Sequence, residues 1–278
     1  MSLRQRIVDA LKNKGKKMTM KEIYNEFPEQ AKTTVRGRVY RAVGKGITKV
    51  GKGLYISTDA IIEHGNSLEI VDRMVDEGDK FDFIFLDIPY KAQGQKGGGR
   101  NLFDADTISV EQFGEFVQKL ELLLKDDNSP LAFMFTSGKS SKRAHDRYMA
   151  QFEKTGLKQV KEMGTFMKLW PNGKRMNMGK YDMPLENIYF FSKSGKIEGI
   201  EEWILDFQLV PDIKLYPTAK PYQMIAKIVE QATKVGQWVF DPFGGSGVTL
   251  QACLDLGRKC HIVDCSERSI QNHILKIG

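Results

Sequence analysis

Beyond residue 58, short apolar runs alternate with longer stretches of helical period. The runs Ala60–Glu63, Phe81–Asp87, Leu131–Thr136, Asn187–Phe191, Trp238–Asp241 and Cys260–Asp264 predict strands. The stretches Ser109–Leu124, Lys139–Thr155, Pro221–Val235, Ser246–Leu256 and Glu267–Leu275 predict helices. Strand followed by helix, repeated, predicts an α/β domain over residues 59–278, built on a parallel, doubly wound sheet. Ligands in such a sheet sit at the C-terminal ends of the strands, so the chemistry is sought there.

The first 58 residues have a different texture. Leu3, Ile7, Ala10 and Leu11 recur at helical spacing, and Gly15 closes that helix. Thr19 is placed to cap a second helix, Met20 to Phe27, with Glu22 completing a capping box. A third starts at Thr33 or Thr34, burying Val35, Val39, Tyr40 and Val43 and leaving Arg36, Arg38 and Arg41 largely outside. Two short runs, Ile47–Val50 and Leu54–Ile56, then flank Gly51-Lys52-Gly53 as a β-ribbon. Three helices and a ribbon resemble a winged helix-turn-helix. That resemblance implies a third helix entering a major groove and a wing touching phosphate, with Arg36, Arg38, Arg41, Lys49 and Lys52 as the DNA contacts.

Charge sharpens the division. The chain carries +7 overall, but residues 1–58 hold 14 Lys or Arg against four acids, a balance of +10 that leaves −3 for the rest. A basic module on a nearly neutral body points to a polyanionic partner. Composition excludes other classes: 41% hydrophobic and 28% charged is ordinary for a folded soluble domain. No stretch approaches the roughly 20 apolar residues of a membrane span, and the basic N-terminus lacks the apolar core of a signal peptide. Cys253, Cys260 and Cys265 form no C-x-x-C pair, so a disulfide framework or structural zinc is not expected, and a reducing cytoplasm is. Four scattered histidines offer no metal-ligand set.

Two strand ends carry the candidate chemistry. At one, Val239-Phe240-Asp241 runs into Pro242-Phe243-Gly244-Gly245-Ser246-Gly247 and a helix. Glycines let a backbone approach a ligand closely, and a helix N-terminus offers free N–H groups. The spacing is neither that of a P-loop nor G-x-G-x-x-G. Asp264 ends the next strand, some 23 residues on, where an acid suits the two hydroxyls of a ribose. At the other, Phe81–Leu86 delivers Asp87-Ile88-Pro89-Tyr90 to the same rim. An acid, a rigid turn and a ring there suit a flat heterocycle with an exocyclic amine: the ring stacks while Asp87 and the Ile88 carbonyl accept the two N–H hydrogens.

Together these segments resemble the β-class amino-group DNA methyltransferases, which use S-adenosylmethionine on a Rossmann-like sheet. Asp87-Ile88-Pro89-Tyr90 resembles their catalytic Asp-Pro-Pro-Tyr, and Asp241–Gly247 their cofactor motif, in the permuted order of that class. Ile61–Ser67 resembles their Gly-Asp-Ser/Cys segment, Glu186–Lys193 their Glu-anchored strand, and Tyr216-Pro217-Thr218-Ala219-Lys220-Pro221 their His-Pro-Thr-x-Lys-Pro. There are departures: Ile88 for the first proline, Asn66 for an acid, Tyr216 for histidine. The connection from Lys193 to Tyr216 is also short where relatives carry a target-recognition region. That role falls either to the N-terminal module or to Lys168–Lys180.

The resemblance implies methyl transfer to the amine of a base flipped out of double-stranded DNA. Asp87, Ile88, Pro89 and Tyr90 would be the catalytic segment. Asp241 and Lys220 would hold the amino-acid end of the cofactor and Asp264 its ribose. Pro242, Phe243, Gly244, Gly245, Ser246, Gly247, Thr218 and Asn66 would complete the cofactor pocket. Further DNA contacts are expected from Lys96 and Arg100, in a glycine-rich segment that closes over DNA, and from Lys174 and Arg175. An aspartate at the first position resembles the adenine-N6 enzymes; cytosine-N4 transfer, an RNA target and an inactive DNA-binding regulator are the alternatives. Oligomeric state stays open, as does whether a cognate restriction endonuclease accompanies the chain.

Overall fold

The structure is a computed structural model. It describes residues 3, 6–7, 10–11, 18–32, 34–35, 47–51, 54–57, 59–89, 108–137, 142–169, 185–199, 203–208 and 219–272. Two compact units emerge, Met1–Glu63 and His64–Gly278.

In the first unit, Leu3, Ile7, Ala10 and Leu11 are helical, as their spacing predicts. Ile7 and Leu11 are buried with Met18, Ile23, Phe27 and Val35 in one apolar cluster. Strand β1 (Met18–Thr19) leads into α1 (Met20–Glu26) through the expected capping box, in which Thr19 caps the Glu22 amide and the Glu22 carboxylate accepts from the Thr19 amide at 2.7 Å. Strands β2 (Ile47–Gly51) and β3 (Leu54–Ser57) pair antiparallel as the ribbon. β1, which the pattern did not predict, adds to β3, giving the order β1-β3-β2. Arg36, Arg38, Arg41 and Lys52 lie outside the described residues, as does the side chain of Lys49.

The rest of the chain is built on one eight-stranded sheet. Its elements in chain order are β4 (Ala60–His64), α2 (Ser67–Glu77), β5 (Phe83–Leu86), α3 (Val110–Leu123), β6 (Leu131–Ser137), α4 (Lys142–Phe152), β7 (Lys158–Leu169), β8 (Leu185–Ser192), β9 (Trp203–Gln208), α5 (Tyr222–Ala232), β10 (Trp238–Asp241), α6 (Val248–Asp255), β11 (Lys259–Asp264) and α7 (Glu267–Asn272). Strand order is β4-β11-β10-β5-β6-β8-β7-β9. Strands β11, β10, β5 and β6 are mutually parallel, while β8 runs antiparallel to both β6 and β7. The sheet is therefore mixed where the alternation of elements predicts a parallel one. β7 and β9 escape a period-two reading, and β7 pairs antiparallel with β8, an arrangement that does not call for the crossover helix that parallel neighbours need.

Side-chain alternation divides the core between two helical layers. Ile84, Leu86, Phe133, Phe135, Phe240 and Val263 are buried with α2, α3 and α4 through Ile70, Val71, Met74, Phe113, Phe116 and Phe152. Phe83, Phe85 and Val239 alternate to the opposite face. The buried stripe of α5, Met224, Ile225, Ile228 and Val229, lies outside that first cluster, and α5 packs on α6. Among the described residues no helix is long and apolar enough to cross a membrane.

Two details fix the strands that carry the site. Asp82 is buried, and its carboxylate accepts from the Trp238 amide at 2.9 Å, the Gln237 side chain at 3.2 Å and Lys125 at 2.6 Å, tying the start of β5 to the start of β10. The pairing Val239–Phe83 and Phe240–Ile84 then brings the far ends of both strands out side by side.

Candidate active site

Three neighbouring strands end in acids on one rim. Asp241 is the last residue of β10, Asp264 the last of β11, and Asp87 follows β5 by one residue. Strand order β11-β10-β5 makes them adjacent.

Asp241 is 2% exposed. Its carboxylate accepts from the Phe243 amide at 3.0 Å and is hydrogen-bonded by the Thr249 hydroxyl. Burial nevertheless pushes its pKa up to about 7; those two hydrogen bonds pull it down, and the nearby Asp87 and Asp264 push it up. Thr249 was not expected here: a threonine as the second residue of a helix is ordinary in sequence, and only the fold points it at the acid.

The glycine turn wraps around these acids. Gly245 and Gly247 take φ of 51° and 80°, the left-handed region that disfavours any Cβ. Gly247 is the N-cap of α6, with no side-chain cap over its first turn. The Gly245 amide donates to Asp264 at 2.7 Å, and the Gly244 amide to the Val263 carbonyl at 2.8 Å. Asp264 also accepts from the Ser266 amide at 2.8 Å. Burial raises its pKa, opposed by the Ser266 and Gly245 amides and by His64. Phe243 leans on Phe116 of α3 with ring centroids 5.6 Å apart.

The segment before α2 closes one side. Asn66 is the N-cap of α2, its side chain accepting from the Leu68 amide at 2.9 Å. The buried Ser67 hydroxyl donates to the Pro242 carbonyl, linking the start of α2 to the glycine turn. The Gly65 amide donates to the Asp264 carbonyl at 3.1 Å. Pro242 is buried, and Ser246 lies at the partly exposed mouth of the turn.

On the β5 side, Ile88 is 2% exposed and packed into the apolar cluster, while Asp87 and Pro89 are partly exposed. Lys220, two residues before α5, lies 3.1 Å from Asp87 Oδ2, with side-chain exposures of 14% and 25%. So the structure brings together Asp87, Ile88, Lys220, Asp241, the Gly244–Gly247 turn, Asp264 and Asn66. Tyr90, Lys96, Arg100, Lys174, Arg175 and Thr218 lie outside the described residues. Among the described residues no group of three or more His, Cys, Asp or Glu forms a metal-binding set.

Comparison with known proteins bears on the fold and the family. Residues 207–275, which include Lys220, the glycine turn and Asp264, match the family model described as DNA methylase, of the N6/N4 type. The type II methyltransferase M2.DpnII of Streptococcus pneumoniae is 24% identical over 249 residues, covering 79% of this chain and 90% of that protein. The structure of the M1.HpyAVI–SAM complex superposes with a TM-score of 0.57 at 19% identity, using 79% of this chain and all of the other. PvuII DNA methyltransferase, described as cytosine-N4-specific, gives 0.56 at 15% identity over 77% and 86% of the two chains. The mixed sheet with acids on adjacent strand ends and a glycine turn defines a methyltransferase-type α/β domain. Family model, curated relative and fold point the same way: residues 207–275 match the N6/N4 DNA methylase model, and the chain is similar over most of its length to a type II methyltransferase.

Proposed function

We propose that this chain methylates the exocyclic N6 amine of an adenine flipped out of double-stranded DNA, with S-adenosylmethionine as methyl donor. The observation that carries this reading is the convergence of Asp87, Asp241 and Asp264 on one rim beside a glycine turn. The donor set fits the cofactor. A buried carboxyl pushed toward neutrality chiefly by burial, and further by Asp87 and Asp264, favours a cationic ligand, and S-adenosylmethionine carries an ammonium, a sulfonium and a ribose diol. Asp241 would take the ammonium end, Asp264 the ribose, and Phe243 with Gly244–Gly247 the walls; Pro242, Ser246, Asn66 and Thr218 complete the pocket by family resemblance.

When bound, the cofactor supplies an electrophilic methyl whose bonding electrons return to sulfur. The chain's own residues prepare the nucleophile. An aryl amine is weakly nucleophilic because its lone pair is delocalised into the ring. Asp87 accepts one N–H and the Ile88 carbonyl the other, favouring a tetrahedral nitrogen whose lone pair forms the new N–C bond. One amine proton is then lost through Asp87 to water. Tyr90 stacks on the flipped base, a contact worth about 1–3 kcal/mol. Positioning and electrostatics account for the rate, with no covalent enzyme intermediate.

The basic first unit, +10 over residues 1–58, supplies DNA affinity through phosphate contacts in this reading. Arg36, Arg38, Arg41, Lys49 and Lys52 are assigned there, and Lys96, Arg100, Lys174 and Arg175 to the catalytic domain's own DNA face. Aspartate at position 87 favours adenine, by resemblance to the N6 enzymes. The likeness in fold to a cytosine-N4-specific enzyme keeps N4 transfer as the second reading. Mass spectrometry of nucleosides from DNA incubated with protein and S-adenosylmethionine decides. N6-methyladenine above a no-enzyme control is expected; N4-methylcytosine replaces the base assignment, and the absence of both products refutes the enzyme reading.

A further inference from the structure

Lys220 belongs to the stretch whose family resemblance assigns it to the cofactor, yet it meets Asp87. Its Nζ lies 3.1 Å from Oδ2, and both side chains are largely withdrawn from water, at 14% and 25% exposure. Pro221 follows it and caps α5. A residue before proline is confined to extended backbone, so the ammonium is presented from a stiff stem at the start of a packed helix.

We propose that Lys220 is a positioning residue for Asp87: its ammonium anchors Oδ2 and keeps the carboxylate an acceptor for the target amine's N–H. This rests on the methyl-transfer reading. The argument is one of polarity. A carboxylate accepts; a protonated carboxyl presents an O–H donor, the wrong partner for an amine hydrogen. Asp87 stands close enough to the buried Asp241 to raise that group's pKa, and Asp264 raises it from the other neighbouring strand. An acid therefore stands near Asp87 on β10, and among the described residues Lys220, delivered from before α5, pairs with it. A neighbouring cation within about 4 Å lowers a carboxyl's pKa by about 1–3 units. Removing it would leave Asp87 beside Asp241 without that ion pair, which favours its protonation.

The test follows the Asp87 carboxyl by NMR in full-length protein with ¹³C-labelled aspartate, free of DNA and cofactor, its signal assigned by loss in Asp87→Asn. Lys220→Met is expected to raise the Asp87 midpoint by about one to two pH units, with Lys220→Arg close to wild type. In single-turnover methylation, the acid limb of the rate should move up by the same amount in Lys220→Met and be restored in Lys220→Arg. An unmoved Asp87 midpoint overturns the proposal. So does a tenfold or larger loss of S-adenosylmethionine affinity with midpoint and acid limb unchanged, which would return Lys220 to the cofactor alone. Because the NMR titration needs no turnover, a wild-type protein that methylates nothing would sink the enzyme reading while the pairing was still decided. Should Lys220→Met not fold, Lys220→Gln takes its place.

Discussion

The Gly245 amide donates to the Asp264 carboxylate at 2.7 Å, so the acid at the end of β11 holds the glycine turn that follows β10. Asp264 therefore has two tasks in the proposed site, shaping the turn through Oδ2 and gripping the ribose with what acceptor capacity remains. Oδ1 already accepts from Ser266, and a carboxylate has about four lone-pair directions, enough for both. Asp264→Ala is expected to weaken S-adenosylmethionine binding by about 10- to 100-fold, the scale of one or two hydrogen bonds to a charged group. Asp264→Asn should retain part of it. Calorimetric titration measures this, and an unchanged dissociation constant in Asp264→Ala would remove Asp264 from the site.

Asp241 makes cofactor binding depend on pH. Burial lifts its pKa from an ordinary 3.8 to about 7, so the folded chain holds a proton there that the unfolded chain has already given up. Its contribution to stability is complete below about pH 4 and is lost as pH rises through 7. Unfolding free energy of the cofactor-free protein should carry a component that falls over that window, absent in Asp241→Asn. Binding runs the other way, because a cationic ligand favours the carboxylate. Affinity for S-adenosylmethionine should rise about tenfold or more from pH 5.5 to 7, where the ligand's own ammonium stays largely charged. In Asp241→Asn it should be flat. Equal wild-type affinities at the two pH values would show that Asp241 does not meet the cation.

Asp87→Ala separates chemistry from DNA binding. Loss of the amine's acceptor should slow methyl transfer by at least about 100-fold, as for removal of a preorganised hydrogen-bonding group. Retention of DNA on a filter, which the basic first unit is proposed to supply, should stay near wild type. A variant that still methylates at the normal rate would take Asp87 out of the mechanism. One that loses DNA binding as well would make it a structural residue.

Much of this site was legible because its signals are local. Asp241-Pro242-Phe243-Gly244-Gly245-Ser246-Gly247 announces a strand, a turn and a helix start in consecutive residues, and β10 and α6 fall where that reading puts them. The capping box of Thr19 and Glu22 is equally local, and so is that of Ser109 and Gln112 at α3. What escaped depends on partners far along the chain. Helix α2 has only Ile70, Val71 and Met74 buried along its length besides Ser67, a narrow stripe in a charged stretch. β7 shifts register between Gln159 and Met163, which breaks the two-residue period that would reveal a strand. The bonds Ser67–Pro242, Thr249–Asp241 and Lys220–Asp87 join residues that no spacing rule connects.

Ile88, the departure within the catalytic tetrapeptide, has a structural reason in its burial. At 2% exposure it packs in the cluster that includes Leu86, Ile108 and Phe116, filling space below the rim. The role proposed for it in catalysis belongs to its carbonyl, which every residue has; and Pro89, following it, confines its backbone to the extended region. Packing and chemistry should then separate. Ile88→Ala is expected to lose about 2–4 kcal/mol of stability, as for other buried large-to-small changes. Well below its lowered melting temperature, it should methylate within about tenfold of wild type. Denaturant melts and single-turnover rates measure the two quantities on one preparation. Undiminished stability would contradict the burial, and a rate lost more than 100-fold in a folded variant would mean that the side chain itself shapes the pocket for the base.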